Sequence, residues 1–112
     1  WVIAEAGDDE IAVSVVTLLE LALSIARSNT PQRHQDRQRF LTELSSAVPV
    51  IPVTAAKALR AGKIDGESRA KGISIPISDL LIGVTALNLD YIVATHNVRH
   101  FRVIPNLPVR PL

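Results

Sequence analysis

Ala12-Val-Ser-Val-Val-Thr-Leu-Leu-Glu-Leu-Ala22 begins as a strand and ends as a helix. Ile11–Val15 has the β-branched richness of a buried strand. From about Val16 to Arg27 the spacing changes to three and four. Thr17, Glu20, Ser24 and Arg27 make one polar stripe, while Leu18, Leu21, Ala22 and Ile25 face elsewhere. This predicts Glu20 on the wet side of a helix that leaves a strand. A second stretch, Ser78-Asp-Leu-Leu-Ile-Gly-Val-Thr-Ala-Leu87, predicts a helix over Asp79–Leu89. Ser78 is placed to cap it, and Asp79 sits in its first turn, where the helix dipole favours negative charge. Tyr91–Thr95 reads as another buried strand, and Asn97–Phe101 as a short helical turn. Alternation of this kind predicts an α/β fold with a mostly parallel sheet covered on both faces.

The flanking segments complete the pattern. Thr30 is placed as an N-cap with Pro31 at the first helical position, and the helix they open runs to about Ala47 with Phe40, Leu41 and Leu44 on its apolar face. Val48–Val53, broken by Pro49 and Pro52, suits a sheet-edge strand or an extended lead-in. Thr54 opens a long helical region through about Lys71, weakened by Gly62 and Gly66 and ended by Gly72. Ile104–Leu112 carries Pro105, Pro108 and Pro111, and reads as an extended tail able to add an edge strand. Trp1–Ala6 reads as the tail of a helix, closed by Gly7 and the turn Asp8-Asp9-Glu10.

Sites in parallel sheets form at the C-terminal ends of the strands, which singles out Glu20, Asp79, Thr95 and Asn97. A carboxylate beside an apolar run asks for a reason, either solvation or a cation. Oxygen ligands without cysteine suit a hard ion, Mg²⁺ or Mn²⁺.

Composition narrows the classes. The chain has 112 residues, 47% of them hydrophobic, enough for one domain with a real core. A net charge of +1 provides no overall field toward nucleic acid, so any such contact needs a local patch. Gln32–Phe40, with Arg33, Arg37 and Arg39 against Asp36, is one candidate, and a solvated helix face is the simpler reading of it. The absence of cysteine excludes disulfides and thiolate metal sites and agrees with a reducing cytoplasm. No apolar run approaches the ~20 residues that span a bilayer, so no membrane role is expected. Methionine is absent even from position 1, which implies that Trp1 is not the translational start and that a piece upstream has been lost. No glycine-rich phosphate-binding signature supports a nucleotide-binding domain.

Three segments in order resemble a known family. Ser14-Val-Val-Thr-Leu-Leu-Glu-Leu21, Gly72 through Ala86, and Thr95-His-Asn-Val-Arg-His-Phe101 are similar to the S-x-x-T-x-x-E-L, G-x-x-I-x-x-x-D-x-L-I-A-x-x-A and T-x-N/D-x-x-D/H-F segments of PIN-domain ribonucleases, and within them of VapC-type toxins. The resemblance implies a three-layer α/β/α domain over residues 1–112. It implies, for the full-length parent, an endoribonuclease that uses Mg²⁺ or Mn²⁺ to activate a water against an RNA phosphodiester, with little activity expected of the 112-residue chain itself. Glu20 and Asp79 correspond to the second and third acids and would be metal ligands. Asn97 stands at the fourth position, His100 where some relatives carry another acid, and Thr95 would support the site by hydrogen bonding. A homodimer and a VapB-type antitoxin are the implied partners. The family's first acid belongs to a D-T-N-type segment upstream of Trp1. The chain is therefore expected to lack that ligand, its first strand and most of its first helix, leaving the sheet open at its middle.

Simpler readings stand beside these. Glu20 suits a solvated helix face, and Asp79 a plain dipole partner. His96 and His100, four apart, lack a third ligand and suit packing or RNA contact, and His34 suits a helix surface. Ser14 and Thr17 have no histidine at a motif-like position and suit capping or packing. A PIN-like fragment without catalysis, acting as a protein-binding module, remains the alternative to a nuclease.

Overall fold

The computed structural model describes residues 2–5 and 11–112. Val2–Glu5 (β1) and Ile11–Ser14 (β2) are followed by helices Val15–Ala26 (α1) and Pro31–Ala47 (α2), then by the short strand Val50–Ile51 (β3). Helices Ala55–Ala70 (α3) and Ile77–Leu89 (α4) precede strand Ile92–Thr95 (β4), helix Val98–Phe101 (α5) and strand Val109–Pro111 (β5). The sheet has the order β3-β2-β1-β4-β5 within an α/β three-layer fold. β2 pairs parallel with β3, and β4 parallel with β5. β1 runs antiparallel to both of its neighbours, so four strands share one direction around a reversed central one.

That central strand corrects two expectations. Trp1–Ala6 was read as a helix tail, but Val2–Glu5 is a strand; and the middle of the sheet, expected to be open, is filled by it. β2 and β4 each offer a row of backbone donors and acceptors, and β-branched Val2 and Ile3 suit the pairing, so tertiary context overrides the local helical reading. Val2 pairs with Thr95 and Glu5 with Ile92 and Ile11, which places Glu5 at the opposite edge of the sheet from Thr95. Trp1, Gly7 and the acidic turn at Asp8–Glu10 lie outside the described residues.

The remaining elements form for local reasons. Ser14 caps α1, Thr30 caps α2 with Pro31 behind it, and Thr54 caps α3, each side chain accepting a backbone N–H from the first turn. α3 stays continuous through Gly62 and Gly66, and Gly72, at φ +77°, follows its end. Ser78 does not cap α4. That helix starts one residue before it, at Ile77, with Pro76 at the cap position and no side-chain cap bond.

The core gathers on α4. Leu80, Ile82, Gly83, Val84, Thr85 and Ala86 are all buried there, the mark of a helix enclosed on nearly every side. Val93, Phe101, Ile104 and Leu107 pack against it. Gly83 lets this happen, since a Cβ there would fall 2.6 Å from Ile104 Cδ1 and 3.2 Å from Leu107 Cδ2. α2 is the opposite case. It packs on α1 and has no buried residue.

Candidate active site at the strand ends

Two strand ends and one helix start build the site. β2 ends at Ser14, whose Oγ accepts the Val16 N–H at 3.1 Å and turns the chain into α1, where Glu20 lies in the second turn. β4 ends at buried Thr95, whose Oγ1 accepts the Asn97 N–H at 3.0 Å. The Asn97 carbonyl then accepts the His100 N–H at 3.0 Å, starting α5. His100 Nδ1 lies 3.1 Å from Asp79 Oδ2, which joins this turn to the first turn of α4. Thr95, Asn97, His100 and Asp79 are thus linked by three successive hydrogen bonds.

The two acids differ in environment. Asp79 is 8% exposed, whereas Glu20 is exposed as a residue. Partial burial of its carboxyl and, second, the negative charge of Asp79 raise the Glu20 pKa above its ordinary value. Residues 59 positions apart in the chain therefore sense each other across the site.

α1 departs from its predicted stripe. Thr17, expected on the wet side with Glu20, is 2% exposed, while Val15, Leu19 and Leu23 are exposed on the outer face. Three-and-four spacing identified the helix, but Thr17 is small enough to enter the core, and Val15, Leu19 and Leu23 stay apolar on a face left exposed among the described residues. His96 is exposed and His34 lies on α2, neither of them beside the two acids among the hydrogen bonds of the described residues. The Asn97 side chain is exposed and does not cap α5.

Two contacts had no sequence signal. The His100–Asp79 pair spans 21 residues, and neither neighbour's spacing announces it. Lys57, in the first turn of α3, is 7% exposed, its ammonium donating to the Pro52 carbonyl at 2.7 Å beyond the end of β3.

The donor set can be tested against a cation. Among the described residues no group of three or more His, Asp or Glu side chains is gathered closely enough to hold a metal. Two nearby carboxylates are nevertheless what Mg²⁺ uses when water and substrate phosphates supply its other ligands. Burial first and the Asp79 charge second disfavour the ionised Glu20 carboxyl, and a cation beside it would offset both. Glu20 and Asp79 fit a hard divalent ion. A concavity of about 440 Å³ lies elsewhere, at the α1–α2 turn between Ser28 and Gln35, and does not include either acid.

Residues 1–106 match the PIN domain. The chain belongs to the PIN-domain family. It is 29% identical over 102 residues to ribonuclease VapC2 of Rickettsia felis, spanning 91% of this chain and 74% of that protein. To ribonuclease VapC10 of Mycobacterium tuberculosis it is 33% identical over 107 residues, spanning 96% and 74%. Among solved structures it superposes on VapBC-1 from nontypeable Haemophilus influenzae with a TM-score of 0.78 at 26% identity, covering 96% of this chain and 78% of that one. For VapBC2 of Rickettsia felis bound to a DNA fragment from their promoter, the TM-score is 0.74 at 27% identity, covering 90% and 74%. The PIN fold and the likeness to VapC ribonucleases agree with the resemblance carried by the three sequence segments.

Proposed function

We propose that this PIN domain is a metal-dependent endoribonuclease, the toxin of a type II toxin–antitoxin pair. What supports the proposal is placement: Glu20 lies on the helix that leaves the end of β2, and Asp79, in the first turn of α4, is tied by His100 to the turn that follows β4. Glu20 and Asp79 would hold Mg²⁺ or Mn²⁺. When bound, such an ion lowers the pKa of a water for in-line attack on an RNA phosphodiester and offsets the charge that develops on the reacting oxygens. Asp79, held on a buried helix, fixes the position of one ligand, and Glu20 supplies the second charge. Asn97 offers an amide that can orient a water or a substrate oxygen without adding charge. Thr95 and His100 support the turn that carries it.

A VapB-type antitoxin is the proposed partner. The two solved structures above are of VapBC pairs, and here Val15, Leu19 and Leu23 leave an apolar ridge on the same helix as Glu20. A homodimer acting on RNA in the cytoplasm completes the reading. The second reading, a PIN-like module that binds protein without catalysis, draws on the absence, among the described residues, of any group of three or more His, Asp or Glu that could hold a metal ion.

The test is cleavage of structured RNA by the purified chain across a titration of Mg²⁺ and Mn²⁺. Cleavage that requires the ion and disappears in Glu20→Gln supports the nuclease. Cleavage that persists in excess chelator excludes the metal. Absence of cleavage together with firm antitoxin binding favours the second reading.

A further inference from the structure

We infer that His100 is the positioning residue for Asp79: its Nδ1–H grips one carboxylate oxygen and reserves the other for the ion. The inference rests on the reading of Asp79 as a metal ligand and goes beyond it by assigning each oxygen a task. His100 Nδ1 is 3.1 Å from Asp79 Oδ2. A carboxylate that serves as a metal ligand only accepts hydrogen bonds, so the proton is assigned to Nδ1 as the donor. The ring contact falls on Oδ2, and Oδ1 is not among the buried side-chain atoms left without a partner among the described residues. The two oxygens of one side chain are therefore inequivalent before any ligand arrives.

The reason such a contact matters is rotational. The last torsion of an aspartate is broad and roughly two-fold, so an unheld carboxylate samples orientations that a bound ion would have to select. α4 fixes the Asp79 backbone, but Pro76 at its cap position has no backbone N–H for the Asp79 carboxylate to accept. His100 supplies a donor from outside the helix. It is itself anchored, because its N–H donates to the Asn97 carbonyl and the Asn97 N–H donates to Thr95 Oγ1 at the end of β4. The chain of contacts runs from the sheet to the carboxylate, and the His100 side chain, 48% exposed, contributes little as core. Removing it should therefore cost the fold little and the ion much.

The experiment is calorimetric titration of Mn²⁺ into the 112-residue chain, its His100→Ala and His100→Asn variants, and Asp79→Asn. Loss of a hydrogen-bond partner to a metal ligand costs about 10–100-fold in affinity, and that is the loss expected for His100→Ala with the circular dichroism spectrum and melting temperature retained. His100→Asn, whose side-chain amide can donate from the place of Nδ1, should recover most of the affinity. In metal-free protein, ¹⁵N NMR of the ring should show the Nδ1–H tautomer, disturbed in Asp79→Asn. If Asp79→Asn weakens Mn²⁺ binding but His100→Ala does not, or if the ring is protonated at Nε2 alone, the positioning role is wrong while the metal site stands. If the unmodified chain binds no Mn²⁺, the metal reading falls and this inference with it.

Discussion

Asp79 stands on a helix that is buried on nearly every side, whereas Glu20 stands on one whose outer face is bare. α4 buries seven of its residues, Asp79 among them; α1 buries Val16, Thr17 and Ile25, and its neighbour α2 buries none. The site therefore joins a rigid half to a half carried on a thinly anchored helical pair. Under the proposed function, a cation between the two would have one ligand set by the core and another carried on the less buried helix.

The largest expected effect breaks the rigid half. Asp79→Asn should nearly abolish RNA cleavage, because it removes a charged ligand while preserving size. The accompanying stability change should stay small, since a carboxylate near a helix start contributes only about 0.3–1 kcal/mol through the dipole. Comparing initial cleavage rates with thermal unfolding separates the two; a variant that cuts normally would show Asp79 to be a helix-start carboxylate alone.

Stability should divide along the same line. Phe101→Ala and Leu80→Ala each empty a site with 0% exposure and should lower unfolding free energy by about 3–5 and 2–5 kcal/mol respectively. Leu44→Ala on α2, at a half-buried position, should cost clearly less. Denaturant titration of the three variants checks the order, and equal losses would mean that α2 is as firmly held as α4. Thr30→Ala, which removes the cap bond to Arg33, should cost about 1 kcal/mol. Hydrogen exchange should report that loss in α2 and leave α4 protected.

The smallest effect concerns Glu20. Its carboxyl binds a proton more tightly in the folded chain than in the unfolded one, so the folded state holds more protons between the two pKa values and stability falls as pH rises through that window. The unfavourable contribution is absent below the ordinary carboxylate pKa and complete above the raised one. Metal-free Glu20→Gln should lose this slope and melt slightly higher at neutral pH than the unmodified chain. A lower melting temperature would mean that the Glu20 charge is stabilising.

How far the sequence could be read follows the same division. Hydroxyl caps at Thr30 and Thr54, the proline-bounded edge strand at Val50–Ile51 and the strand-to-helix passage at Ser14 are local signals, and the structure carries each. Motif order placed Glu20, Asp79, Thr95 and Asn97 near one sheet edge because parallel strand ends gather there. Other features depend on partners distant in sequence. Val2–Glu5 becomes a strand because β2 and β4 lie on either side of it, Thr17 turns inward because the core accepts it, and the His100 ring finds Asp79 through the fold of two helices. Ser78 illustrates a smaller limit: a good capping residue beside Pro76 and Ile77 yields when the helix begins one residue earlier.

The most direct measurement is a crystal of the chain soaked in Mn²⁺ with anomalous data collected at the manganese edge. One peak bonded to both the Glu20 and Asp79 carboxylates, with Asp79 contributing Oδ1 and keeping Oδ2 on His100, is the predicted result. The ligand distances should be near the ~2.0–2.1 Å of a small octahedral divalent ion. Ordered Glu20 and Asp79 side chains with no anomalous density between them at saturating Mn²⁺ would contradict the shared metal site.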